Sequence, residues 1–67
     1  MANLVWTKRA AAIEKSENKI AHALAIVQAV EVLARLAETD EERDELWIIL
    51  RAANRLRELA QRERRRA

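Results

Sequence analysis

Cysteine, glycine, proline, tyrosine and phenylalanine are all missing from this chain. Without cysteine there is no disulfide framework, no thiol nucleophile and no zinc finger. Without glycine there is no dinucleotide fingerprint, phosphate loop or nucleophile elbow, because each needs backbone that a Cβ obstructs. No turn dipeptide occurs, and no stretch alternates apolar and polar residues as a strand would. Aromatic residues are reduced to Trp6 and Trp47, and histidine to His22. Most site chemistries are excluded before any pattern is read.

What is present is helix-forming. Ala, Leu, Arg and Glu dominate 67 residues, enough for one small domain. Hydrophobic residues at 51% and charged residues at 36% place the chain outside the disordered and membrane classes. The N-terminus lacks the charged-then-apolar order of a signal peptide, so the expectation is a soluble, unexported protein, cytoplasmic or recombinant. Net charge is only +2, too little to argue for nucleic acid by itself, but it is unevenly spread. Asp40, Glu41, Glu42, Asp44 and Glu45 crowd one segment, whereas Arg51, Arg55, Arg57, Arg62, Arg64, Arg65 and Arg66 dominate the end.

One start signal stands inside the chain. Thr39 followed by Asp40, Glu41 and Glu42 is a capping box, and its carboxylates suit the positive end of a helix dipole. The reading is a single hairpin domain: helix from about residue 4 to about 37, turn at about 38–39, helix from about 40 to about 64, then a frayed basic tail. One continuous helix is the competing reading, and the apolar phase opposes it. Trp6, Ile13, Ile20, Val27 and Ala34 repeat every seventh residue, joined by Ala23, Val30 and Ala37. Continued past Glu38, that register would put Glu41, Ile48 and Arg55 in the core. The second segment instead has its own stripe of Leu46, Ile49, Ala53, Leu56 and Ala60, widened by Leu50 and Leu59. No breaker supports a kink or third helix near Ser16–Asn18, and no glycine serves as a C-cap.

Between Ile20 and Ala37 the first helix is apolar almost all round. Gln28, Glu31 and Arg35 form one polar stripe. His22, Ile26, Ala29, Leu33 and Leu36 share a second side, and Val27, Val30 and Ala34 form a third. Glu31 and Arg35 inside this stretch speak against a membrane span. Two apolar flanks need more than one neighbour, so association is expected. The expected architecture is all-α: an antiparallel helical hairpin, long helix then shorter helix, assembling into a homo-oligomeric helical bundle. A dimeric four-helix bundle is favoured, with trimers and rings left open. Charge favours an antiparallel partner, acidic loop against basic open end. The expected interface comprises Ile13, Ile20, Val27, Val30, Leu46, Trp47, Ile49, Leu50 and Leu56, with alanines 10, 11, 12, 21, 23, 25 and 29 permitting close approach.

Few residues could carry chemistry. His22 reads as a half-buried histidine bonded to Asn54 or a backbone carbonyl, rather than as a metal or haem ligand shared with a symmetry mate. Asn54 is a second polar core candidate that could set register. Trp47 reads as an interface anchor. Ser16, Thr7 and Thr39 read as polar-face or capping residues, so no nucleophile is paired with a base. No catalytic residue, cofactor or metal site is expected. Arg62, Arg64, Arg65 and Arg66 are too close together to share a helical face, and nucleic-acid binding through them would be electrostatic and unspecific.

Two resemblances follow. The architecture resembles that of Rop-type RNA-binding hairpins, which dimerise into antiparallel four-helix bundles; the likeness carries over no functional residues. The segment Glu38-Thr39-Asp40-Glu41-Glu42-Arg43-Asp44-Glu45-Leu46 resembles the helix starts of computationally designed bundles, as do the absence of Gly, Pro and Cys and the acidic-start, basic-end charge pattern. This likeness covers the second half best, and the first half departs from it at Leu4-Val5-Trp6, Asn18, His22 and Gln28. It implies assembly as the function. The alternative expectation is a small natural regulator that binds RNA or a protein partner.

Overall fold

A computed structural model describes the backbone of residues 4–66 and the side chains of residues 7–66. It is all-helical, two helices packed against each other as a hairpin: α1, Leu4–Leu36, and α2, Asp40–Arg66. The hairpin measures 59 × 15 × 10 Å. α1 runs without a break past Ser16–Asn18. α2 stays helical through Arg65 and Arg66, two residues expected to fray. Positive side chains in a last turn stabilise it, since the carbonyl end of the helix dipole is negative. No described helix is long and apolar enough to cross a membrane. Trp6, expected in the first heptad stripe, lies outside the described side chains, and Ala67 lies outside the described residues.

The turn is built by side chains in place of glycine. The Glu42 amide donates to Thr39 Oγ1 at 3.1 Å, and the Thr39 hydroxyl donates to Glu42 Oε1 at 3.1 Å. These bonds satisfy one of the N–H groups that a helix start leaves unpaired, as the capping box predicts. The Arg43 amide donates to the Thr39 carbonyl at 3.2 Å, which is the first bond of the α2 ladder. No described residue takes a positive φ, so α1 ends without a left-handed cap. Arg43 substitutes for one. Its Nη2 donates to the Ala37 carbonyl at a long 3.4 Å, while Nη1 bonds Asp40 at 3.1 Å.

Between the helices lies a narrow seam. α1 contributes buried Ser16, Ala23, Val27 and Val30 with half-buried Ile13 and Ile20. Those positions alternate spacings of three and four, the pattern of a packed helix stripe. α2 contributes buried Ala53 and Ala60 with half-buried Leu46, Leu50 and Arg57. The expected α2 stripe is thereby corrected: Leu50, expected to widen it, lies at its centre with Arg57, whereas Ile49 and Leu56 are exposed. The physical reason is the width of the apolar surface on α2. Ala53 and Ala60 lie at its middle, so α1 can cover only one flank. An arginine is tolerated in the covered flank because its aliphatic stem packs while its head reaches outward.

Two further expectations change. Ser16 is not a polar-face residue; it is 3% exposed and lies in the seam one heptad before Ala23. Of the alanines expected to allow close approach, Ala23 is buried, whereas 10, 11, 12, 21, 25 and 29 are exposed. Ser16, Ala23, Ala53 and Ala60 are the small side chains at the contact, and small residues let backbones come near.

Candidate functional site

α2 covers the Val27–Val30 flank of α1 and leaves the other flank open. On that open side Ile26 and Leu33 stand beside Ile49, Leu56 and Leu59, each between 39% and 56% exposed. Ile26, Leu56 and Leu59 line one groove along the hairpin, with Lys19, His22 and Glu63 at its edge. Nearer the turn, Leu33 and Leu46 line a second, edged by Glu41, Glu42 and Glu45. Ile49 precedes Leu56 by seven residues, and Leu33 follows Ile26 by seven, so both belong to this side. The result is one apolar face with an acidic end at the turn and a mixed end, Lys15, Lys19 and His22 with Glu14 and Glu63, towards the open end.

The other side is different. Trp47, 63% exposed, stands with Arg43 and Leu50 over Val30 and Ala34. Of the nine residues expected at an interface, Ile13, Ile20, Val27, Val30, Leu46 and Leu50 lie in or beside the seam within one chain. Ile49 and Leu56 lie on the open apolar face, and Trp47 lies on the side away from it. Ile26, Leu33 and Leu59 share this face, with Leu36 at its turn end, and were not named in that set. The signal for the first two was present, since both share the His22 side of α1.

The polar candidates separate. His22 is exposed, not half-buried, and its Nδ1–H donates to the Asn18 carbonyl at 2.7 Å. It sits on the Ile26 side of α1, away from the seam, which is why it cannot be a core residue. Asn54 is half-buried, one heptad after Trp47 and so on the opposite side. The two therefore do not meet. Among the described residues no group of three or more His, Cys, Asp or Glu side chains could hold a metal ion.

Charge pairs tie the open end. Lys19 Nζ donates to both Glu63 oxygens, at 2.9 and 3.2 Å, and Arg64 pairs with Glu17 at 3.2 Å. The hydrogen bond from Lys19 holds the Glu63 carboxyl below its ordinary value; partial desolvation opposes this, and the charges of Lys19, Lys15 and Arg66 add to it. Both pairs are half-exposed, so they set register more than they stabilise. Beyond them Arg9, Arg64 and Arg65 line a shallow cleft beside Ile13 and Gln61. Compared with known proteins, the chain matches no family model, no curated protein and no solved structure.

Proposed function

We propose that this chain is a self-assembling helical hairpin whose function is assembly, with no catalytic activity. Two antiparallel hairpins pack as a dimeric four-helix bundle, in the manner of the designed bundles that its second helix resembles. The observation that carries the reading is the open apolar face. Ile26, Leu33, Ile49, Leu56 and Leu59 form one contiguous patch, where lone exposed apolar residues would need no explanation. Burying each half-covered side chain is worth about 1 kcal/mol, so the patch favours a partner that covers all five at once. A second copy offers the same patch, and a two-fold axis makes the contact self-complementary.

The test is solution mass by light scattering on a sizing column, across a hundredfold concentration range at low and high salt. A dimer that persists in high salt is expected, because burial of apolar surface does not weaken as charges are screened. Leu56→Asp and Ile49→Asp should give a helical monomer, since both side chains lie outside the seam. If either variant keeps the dimer mass, this face is not the interface.

A second reading has one observation in its favour. Arg65 lines one cleft with Arg9 and with Arg64, which is already paired with Glu17, and the cleft carries net positive charge suited to phosphates. Binding of RNA there would weaken steeply with salt and survive Leu56→Asp. An apolar interface would behave in the opposite way on both counts.

A further inference from the structure

The open apolar face is not centred on the hairpin, and this determines how two copies meet. The contacts Lys19–Glu63 and Glu17–Arg64 put α2 residues level with particular α1 residues. At 1.5 Å rise per residue, Ile49 then lies about level with Leu33, Leu56 about level with Ile26, and Leu59 about one turn further from the loop. The centre of the patch is near residue 28 of α1, roughly 16 Å from the turn, whereas the hairpin is 59 Å long. Towards the open end the same side carries Lys15, Lys19 and His22 together with Glu14 and Glu63, and towards the turn it carries only acidic charge in Glu41, Glu42 and Glu45.

Building on the association reading, we infer that the partner is a second copy set antiparallel and staggered, with the two-fold axis through the patch and not through the middle of the hairpin. Apolar residues then meet apolar residues: Leu33 and Ile49 of one copy come level with Leu59 of the other, and Ile26 and Leu56 lie within about one turn of Leu33 and Ile49 of the other. Glu41 and Glu45 come opposite Lys15 and Lys19 of the second copy. Lys19 can accommodate this, because its ammonium has a third donor beyond the two that bond Glu63. An axis through the middle of the hairpin would pass near residue 19, setting Lys19 against Lys19 and laying Ile26 level with Ala11 and Ala12 instead of with the other copy's apolar patch. A parallel pair would set Glu41 against Glu41 and Lys15 against Lys15. Of these three arrangements the staggered antiparallel one sets apolar against apolar and also Glu41 and Glu45 against Lys15 and Lys19. Its length is about 86 Å, and the open end of each copy, with its arginines, projects past the loop of the other.

The chain lacks cysteine, so single spin labels can be placed at will. Glu38→Cys marks the turn and Lys8→Cys marks the open end, both at exposed positions. Dipolar spectroscopy on each labelled dimer should give axial separations of about 30 Å at the turn and about 60 Å at position 8. An axis through the middle of the hairpin inverts the pattern, to about 58 Å and about 31 Å, and overturns the stagger while leaving association intact. Short distances at both positions identify a parallel pair and overturn it equally. A monomer mass with no dipolar coupling overturns association itself, and the stagger with it.

Discussion

Arg57 occupies a position where an apolar residue would be expected. It lies in the seam of α2 between buried Ala53 and Ala60, and its Nε is buried without a hydrogen-bond partner. A buried N–H left unsatisfied costs about 1–3 kcal/mol, because it has lost water and gained nothing. Arg57→Met keeps an unbranched stem for the seam and removes the polar atom. The expected gain is about 1–2 kcal/mol, the lower part of that range, since the head of the side chain is only half-buried. For 67 residues the unfolding entropy near the midpoint is about 0.14 kcal/mol/K, so each kcal/mol moves Tm by about 7 °C. Arg57→Met should therefore raise Tm by roughly 7–14 °C. The assay is thermal and urea unfolding followed by circular dichroism at one fixed chain concentration, because association shifts apparent stability. The urea midpoint should rise with an unchanged slope. Arg55→Met is the control: Arg55 is exposed, its contact with Glu58 is a loose 3.9 Å, and the change should stay within about 0.5 kcal/mol. A Tm for Arg57→Met at or below that of the parent refutes the reasoning, and would mean that the guanidinium makes net favourable contacts in the seam.

Three further outcomes follow from the same packing. Thr39→Ala removes both capping bonds to Glu42 and should cost about 1 kcal/mol, read as a Tm about 7 °C lower; Thr39→Ser should recover most of it. Ala53→Leu and Ala60→Leu push a larger side chain into the closest part of the seam and should each destabilise by about 1–3 kcal/mol, whereas Ala25→Leu, on an exposed position, should not; equal effects at all three sites would dissolve the seam assignment. Because the Glu63 pKa is lowered by Lys19, the stabilisation from this pair is full above the ordinary glutamate range and lost as pH falls through the lowered value. The difference in Tm between parent and Glu63→Gln should thus be present at pH 7 and disappear in acid; a difference that persists in acid would assign the effect to shape instead of charge.

Local features were legible because their physics is local. A hydroxyl at position 39 and a carboxylate at 42 are enough to cap a helix wherever it docks: the Glu42 amide bonds the hydroxyl, and the Glu42 carboxylate reaches back to that same hydroxyl. The change of apolar phase across Glu38 located the turn to within a residue of residues 37–39. Two apolar flanks on α1 could be read from the wheel, and the structure covers one and leaves the other open. The phase of α2 was misread because apolarity alone marks Ile49 and Leu56 more strongly than Leu50 and Arg57. Ser16 was misread for a related reason: its type suggests solvent, although its place in the heptad with Ala23, Val30 and Ala37 puts it in the seam. His22 bonds a backbone carbonyl as expected but faces water, because a helix side can be near its neighbour and still be exposed.

Helicity, the place of the turn and an excess of apolar surface over what two helices can hide all follow from propensity, capping and periodicity, which act within a few residues. Which flank of each helix is spent on the hairpin is settled by packing alone. That choice depends on how α2 rotates about its axis to turn Ala53 and Ala60 into the seam, Ala60 beside Ala23. The rotation is a property of two surfaces fitting together, and it leaves Ile26, Leu33, Ile49, Leu56 and Leu59 facing outward.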